Sequence, residues 1–129
     1  MKPNFLSRWA LCALLFTPWL AFAAEAPLKG TVAASQTDSA LIAAVSGQRV
    51  CVFQLAAIVG ATATDVTFNT KGAGAGTAIS PPFSFGANGG IVLPYSAKPW
   101  FCTVSGEALT MTTGAGSTTG YLLRYSQAP

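Results

Sequence analysis

The side chains of this chain that could carry covalent or acid–base chemistry are few. They are Cys12, Cys51 and Cys102, and the carboxylates Glu25, Asp38, Asp65 and Glu107, with no histidine anywhere in the 129 residues. A thiol attacks only as its thiolate, which usually needs an adjacent base, most often histidine. Cys102, set between Trp100-Phe101 and the turn residues Ser105-Gly106, therefore does not read as a nucleophile. A structural zinc site takes four nitrogen or sulfur ligands and a catalytic one three. The cysteines cannot supply them, and no metal or other cofactor is expected. What two cysteines can form is a bridge. Cys12 lies in a segment expected to be removed, which leaves Cys51 and Cys102 as an even pair. In an exported chain such a pair reads as a disulfide, and closing a loop of about 50 residues would contribute roughly 4 kcal/mol in the chain-entropy description.

General acid–base work near neutral pH asks for histidine or for two carboxylates across a cleft. Asp38, Asp65 and Glu107 are the candidates, since Glu25 sits beside the expected new N-terminus. Asp65 alternates with Val66 and Phe68 and so is expected to face solvent, while Glu107 follows Ser105-Gly106 at a turn. That layout does not suit two-carboxylate glycoside hydrolysis, and the chain reads as a protein that is not an enzyme. The tract Lys71-Gly72-Ala73-Gly74-Ala75-Gly76-Thr77 has the glycines of a phosphate loop without its spacing. Its lysine precedes the glycines instead of following the last one, and Pro81-Pro82 come where a helix should begin. It reads as a flexible connection.

The elements that must position these residues begin after an export signal. Lys2 and Arg8 flank the start of an apolar run from Trp9 to Leu20, and Ala21-Phe22-Ala23 offers a small-x-small cleavage pattern. Those are the parts of a secretory signal peptide, and the run is shorter than the roughly 20 apolar residues of a membrane span. Residues 1–23 are thus expected to be removed, leaving no membrane span and a periplasmic, secreted or surface-associated protein. Residues 24–129 carry five cations and four anions, a net +1 in place of the +3 of the whole chain. The cations are scattered singly, with no cluster to displace counterions from a nucleic-acid backbone, so no nucleic-acid partner is expected. The length suits one domain with a single core.

Short apolar segments recur at 41–45, 49–59, 64–69, 91–95, 100–104, 108–113 and 121–126, separated by Gly, Ser, Thr, Asn or Pro. Several alternate: Val66 and Phe68 against Asp65, Thr67 and Asn69; Leu109 and Met111 against Thr110 and Thr112; Tyr121, Leu123 and Tyr125 against Leu122 and Arg124. Period-two patterning with this turn spacing predicts an all-β fold, a two-sheet antiparallel sandwich of seven or eight strands, with jelly-roll and immunoglobulin-like order both open. Only 37–45, with Asp38 and Ser39 near an N-cap position, offers a helical alternative, and a strand is favoured there. Residues 24–39 read as an N-terminal arm and 40–129 as the sandwich domain. Ser46-Gly47 predicts a hairpin over 41–55. Strict alternation would put Cys51, Phe53 and Leu55 on one face, so the bridge to Cys102 would cross the core.

Tyr95, Trp100, Tyr121 and Tyr125 are aromatics with polar handles and are candidate binding or interface residues. If exposed they would stack sugars, which makes a carbohydrate-binding module the alternative function. Tyr121 and Tyr125 share a face with Leu123, which points to core or interface, and Trp100 is expected to pack against the disulfide as buried tryptophan does in other sandwiches. The succession Ala44-Val45-Ser46-Gly47-Gln48-Arg49-Val50, Val66-Thr67-Phe68, Gly89-Gly90-Ile91-Val92-Leu93-Pro94-Tyr95, Trp100-Phe101, Gly106-Glu107-Ala108-Leu109 and Gly120-Tyr121-Leu122-Leu123-Arg124-Tyr125 resembles small β-sandwich proteins encoded among phage and prophage virion genes. The resemblance implies a structural or accessory role without catalysis, played by repeated copies meeting edge to edge or face to face. Those proteins typically lack an export signal, whereas this chain carries one, which leaves a surface or periplasmic assembly protein as its counterpart. The expected function is that of a non-catalytic exported structural or assembly protein acting through its sandwich surface. Its expected partner is protein, chiefly further copies of itself, with a glycan as the alternative.

Overall fold

The computed structural model describes residues 24–129. The expected signal peptide, 1–23, lies outside the described residues. Ten strands follow in order: β1 (Ala26–Val32), β2 (Ser39–Ile42), β3 (Arg49–Val59), β4 (Thr64–Lys71), β5 (Thr77–Ala78), β6 (Phe83–Phe85), β7 (Gly90–Leu93), β8 (Phe101–Cys102), β9 (Ala108–Thr113) and β10 (Thr119–Ala128). There is no helix among the described residues.

The strands form two antiparallel sheets. Sheet A runs β1-β10-β3-β7, with β8 also paired to β3, and sheet B runs β2-β9-β4-β5, with β6 also paired to β4. In each sheet one edge position is split into two short strands lying end to end against a longer one: β7 on Leu55–Ile58 and β8 on Cys51–Val52, β6 on Thr64–Val66 and β5 on Asn69–Thr70. Counted as eight positions, the first pairs with the last, the second with the seventh, the third with the sixth and the fourth with the fifth. That is one long antiparallel hairpin rolled over a core, the jelly-roll order, and it resolves the choice left open by the strand pattern.

The alternation seen in the chain builds this core directly. Val66 and Phe68 on β4, Leu109 and Met111 on β9, and Leu123 on β10 are all buried. Phe68 of sheet B meets Phe101 of sheet A at 5.4 Å between ring centroids, joining the two layers.

Three expectations fail for identifiable reasons. Residues 24–39 are not an arm: β1 pairs with β10 from Ala26 to Val32, so the sandwich begins there. Pro27, Lys29 and Gly30 disguise that strand, although Leu28 packs on the core and Val32 enters it. The hairpin over 41–55 is absent, because β2 pairs with β9 in sheet B and β3 lies in sheet A. Gly47 does turn the chain with φ +73, but the turn sits in a connection that passes between layers. Finally, the register between β10 and β3 shifts at Arg124/Tyr125, pairing Arg124 with Gln54 and Tyr125 with Val52, so that Phe53 is the extra residue of a β-bulge. A bulge inverts the in–out alternation beyond it. Val50, Val52, Leu55 and Ala57 consequently face the core, and Cys51 does not share the face of Leu55.

Candidate functional site

The disulfide forms between Cys51 and Cys102 as expected, across 51 residues of sequence and with 4.1 Å between Cα atoms. It does not cross the core. The two cysteines are register partners on adjacent strands of sheet A, both half-buried on the outer side that the bulge turned them toward. The bridge staples the split edge to β3, and the ladder continues past it: Trp100 N–H donates to Val52 O (2.8 Å), Thr103 N–H to Val50 O (2.9 Å) and Gly106 N–H to Gln48 O (2.6 Å).

The four candidate aromatics separate into two pairs. Tyr121 and Tyr125 point inward and pack against the core, and burial raises the Tyr121 hydroxyl above its ordinary titration range. Tyr95 and Trp100, both in the connection from β7 to β8, are 52% and 46% exposed. Trp100 is thus not buried against the bridge; its indole N–H donates to Pro94 O at 2.9 Å and the rest of the ring stays at the surface. Tyr95 donates its hydroxyl to Glu25 Oε1 at 3.0 Å, and this acceptor, with the nearby negative charge, raises the phenol above its usual range. The Arg124 guanidinium lies over the Tyr95 ring, 5.8 Å from its centroid, and Arg124 Nε is 3.8 Å from Glu25 Oε2. Glu25 just ahead of β1, β10 and the 94–100 connection thereby meet in one cluster at the surface.

The other half of this outer face is apolar. Ile58 on β3, Val92 on β7 and Leu122 on β10 are 60%, 68% and 45% exposed. Leu122 and Val92 both register on Ala56, and Ile58 registers between Gly120 and Gly90, so Ile58 is a diagonal neighbour of each and the three large side chains share one surface around Ala56. A shallow depression of ≈ 210 Å³ lies among Ala56, Ile58, Gly120, Tyr121 and Leu122. It is smaller than the roughly 300 Å³ at which enclosed small-molecule sites begin.

The carboxylates considered for acid–base work lie apart. Asp65 is exposed at the start of β4. Glu107 accepts from Thr70 Oγ1 at 2.7 Å, and Thr70 Oγ1 in turn accepts from Val104 N–H at 2.9 Å. Asp38 is a residue whose role sequence reasoning missed. Its side chain is only 6% exposed and lies 3.4 Å from Lys71 Nζ. Oδ1 accepts from Asn69 Nδ2 (2.8 Å) and Thr110 Oγ1 (3.3 Å), and Oδ2 accepts from Gly76 N–H (2.8 Å). The Gly76 amide chiefly, and then Asn69 and Lys71, hold its carboxyl below the ordinary value of 3.8 against the opposing effect of burial. Asp38 adopts φ +51, a region that Asp tolerates better than most residues. A Cβ at position 76 would collide with its Oδ1, so glycine is needed there. The glycine-rich tract is accordingly a clamped connection. Among the described residues no group of three or more His, Cys, Asp or Glu side chains is placed to hold a metal ion.

No family model, curated protein or solved structure matches this chain.

Proposed function

We propose that this protein is an exported, non-catalytic structural protein, a virion-like or cell-surface accessory subunit, that assembles with further copies of itself through the apolar half of the outer face of sheet A. The observation that carries the reading is the exposure of Ile58, Val92 and Leu122 on three adjacent strands. Contiguous apolar surface of this kind marks interaction sites on small soluble domains.

The edges argue for face-to-face contact. β1 carries Pro27, which has no N–H to offer a new strand, and Lys29. β2 is four residues long and its pairing is bulged. The split edges are interrupted by Pro94 and Pro99 in sheet A and by Pro81-Pro82 in sheet B. Short strands, bulges, proline and lysine are the devices by which sheet edges avoid adding strands, which leaves the face. A net charge of +1 over residues 24–129 opposes self-association little. The half-buried disulfide suits an oxidising compartment outside the cytosol. Jelly-roll sandwiches recur in virion and lectin domains, an analogy of fold that agrees with this reading without carrying it.

Sedimentation velocity over a hundredfold range of concentration tests the proposal. The wild type should shift from monomer toward larger species as concentration rises, and a Val92→Asp/Leu122→Asp variant should remain monomeric with an unchanged circular dichroism spectrum. A wild type that stays monomeric throughout would refute it.

A further inference from the structure

The geometry points to the Tyr95–Trp100 surface as a binding platform for a neutral saccharide, separate from the apolar half of the same face. A saccharide ligand has an apolar C–H face and a rim of hydroxyls. It is recognised by aromatic faces held rigidly at the surface, with planar polar groups beside them.

Each element is present here. The polar tip of each ring is engaged with the protein, Trp100 through Nε1–H on Pro94 O and Tyr95 through its hydroxyl on Glu25, so both rings keep large exposed surface while their orientation is constrained. The indole bond ties Trp100 to Pro94, the residue that precedes Tyr95 in the same connection. Arg124 lies over the Tyr95 ring, and Tyr95 still keeps half of its surface exposed. The backbone beneath is stiff: Pro94 and Pro99 restrict the connection, Trp100 N–H is bonded to Val52 O, and the bridge follows at Cys102. Ordering costs are therefore met before a ligand arrives, which is how preorganisation raises affinity.

The polar groups select the class of ligand. Glu25 and Arg124, with side chains 27% and 49% exposed, lie against one another and leave hydrogen-bonding capacity at the rim without net charge. An anionic glycan or a nucleic acid would meet Glu25 and find two singly placed cations, Arg124 and the exposed Lys98 of the 94–100 connection, without a basic cluster. A purely apolar ligand would gain nothing from either group, whereas a neutral hexose can stack on the rings and exchange hydrogen bonds with the guanidinium and the carboxylate.

The test is a titration of the 15N-labelled exported protein with cellohexaose, maltohexaose and hexa-N-acetylchitohexaose, alongside a heparin hexasaccharide as the anionic comparison. At least one neutral hexasaccharide should produce saturable shifts of the Trp100 indole N–H and of amides 94–102. The shifts should vanish in Trp100→Ala, whose thermal unfolding should match the wild type. Tyr95→Phe keeps the ring but loses its anchor on Glu25, and should weaken binding less than Trp100→Ala does. Binding should survive in the Val92→Asp/Leu122→Asp variant, which separates this site from assembly. Absence of saturable shifts with all three neutral sugars, persistence of shifts in Trp100→Ala, or a response to heparin alone would each overturn the assignment.

Discussion

Asp38 and Glu25 are both carboxylates that accept from neutral donors and face a cation, yet they sit in opposite circumstances. Asp38 is almost fully covered, and its oxygens are committed to Asn69, Thr110, Gly76 and Lys71 across β4, β9 and the 72–76 connection. Glu25 is partly covered, its side chain 27% exposed, and its partners, Tyr95 and Arg124, are about half exposed. The same set of charges is therefore spent on architecture in one place and left available for recognition in the other. Burial decides which. A covered hydrogen-bond network costs heavily when one member is removed, while an exposed pair is screened and contributes little to stability.

The largest expected effect on stability comes from neither cluster but from the bridge that stiffens the exposed one. Replacing both cysteines, Cys51→Ser with Cys102→Ser, should lower the free energy of unfolding by about 4 kcal/mol in urea denaturation. A loss far below that would show that the bridge constrains the unfolded chain less than its loop length implies. Next comes Asp38→Ala, which strands Lys71, Asn69 and the Gly76 amide together and should cost about 3 kcal/mol in the same assay. A loss below roughly 1 kcal/mol would break the contrast, because Asp38 would then behave like a surface carboxylate.

Acid should sharpen the contrast further. The folded carboxyl of Asp38 titrates below its ordinary value of 3.8, so its contribution is complete above that value and is lost as the pH falls through the folded one. Urea midpoints taken from neutral pH downward should fall away below 3.8 in the wild type, and the fall should be shallower in Asp38→Asn. The smallest effect belongs to the exposed cluster: Tyr95→Phe should leave the thermal unfolding midpoint unchanged, as surface substitutions do. Glu25→Gln should bring the raised Tyr95 phenol back toward its ordinary 10.0, as read from tyrosinate absorbance.

How much of this was legible in the chain follows from which interactions are local. Alternation in Val66-Thr67-Phe68 and Leu109-Thr110-Met111 announces strands because each signal lies within a few residues, and those side chains do form the core. The cysteine pair was readable because an expected export signal and an even count leave few alternatives. The bulge at Phe53 was not, since an extra residue leaves no mark in an apolar run, and with it went the face of Cys51. Asp38 was invisible for another reason: its partners stand at positions 69, 71, 76 and 110, and only the jelly-roll order brings those strands together. Trp100 and Tyr95 were recognised as candidates by type. Their exposure, and the inward turn of Tyr121 and Tyr125, needed the register of β10 and the split edge to be known.

The measurement that tests the working face most directly is hydroxyl-radical footprinting of the wild type at dilute and concentrated protein. Oxidation of Ile58, Val92 and Leu122 should drop together as concentration rises, while Trp100 stays as reactive as in the dilute sample. Equal oxidation of the three aliphatic side chains at every concentration would contradict the account.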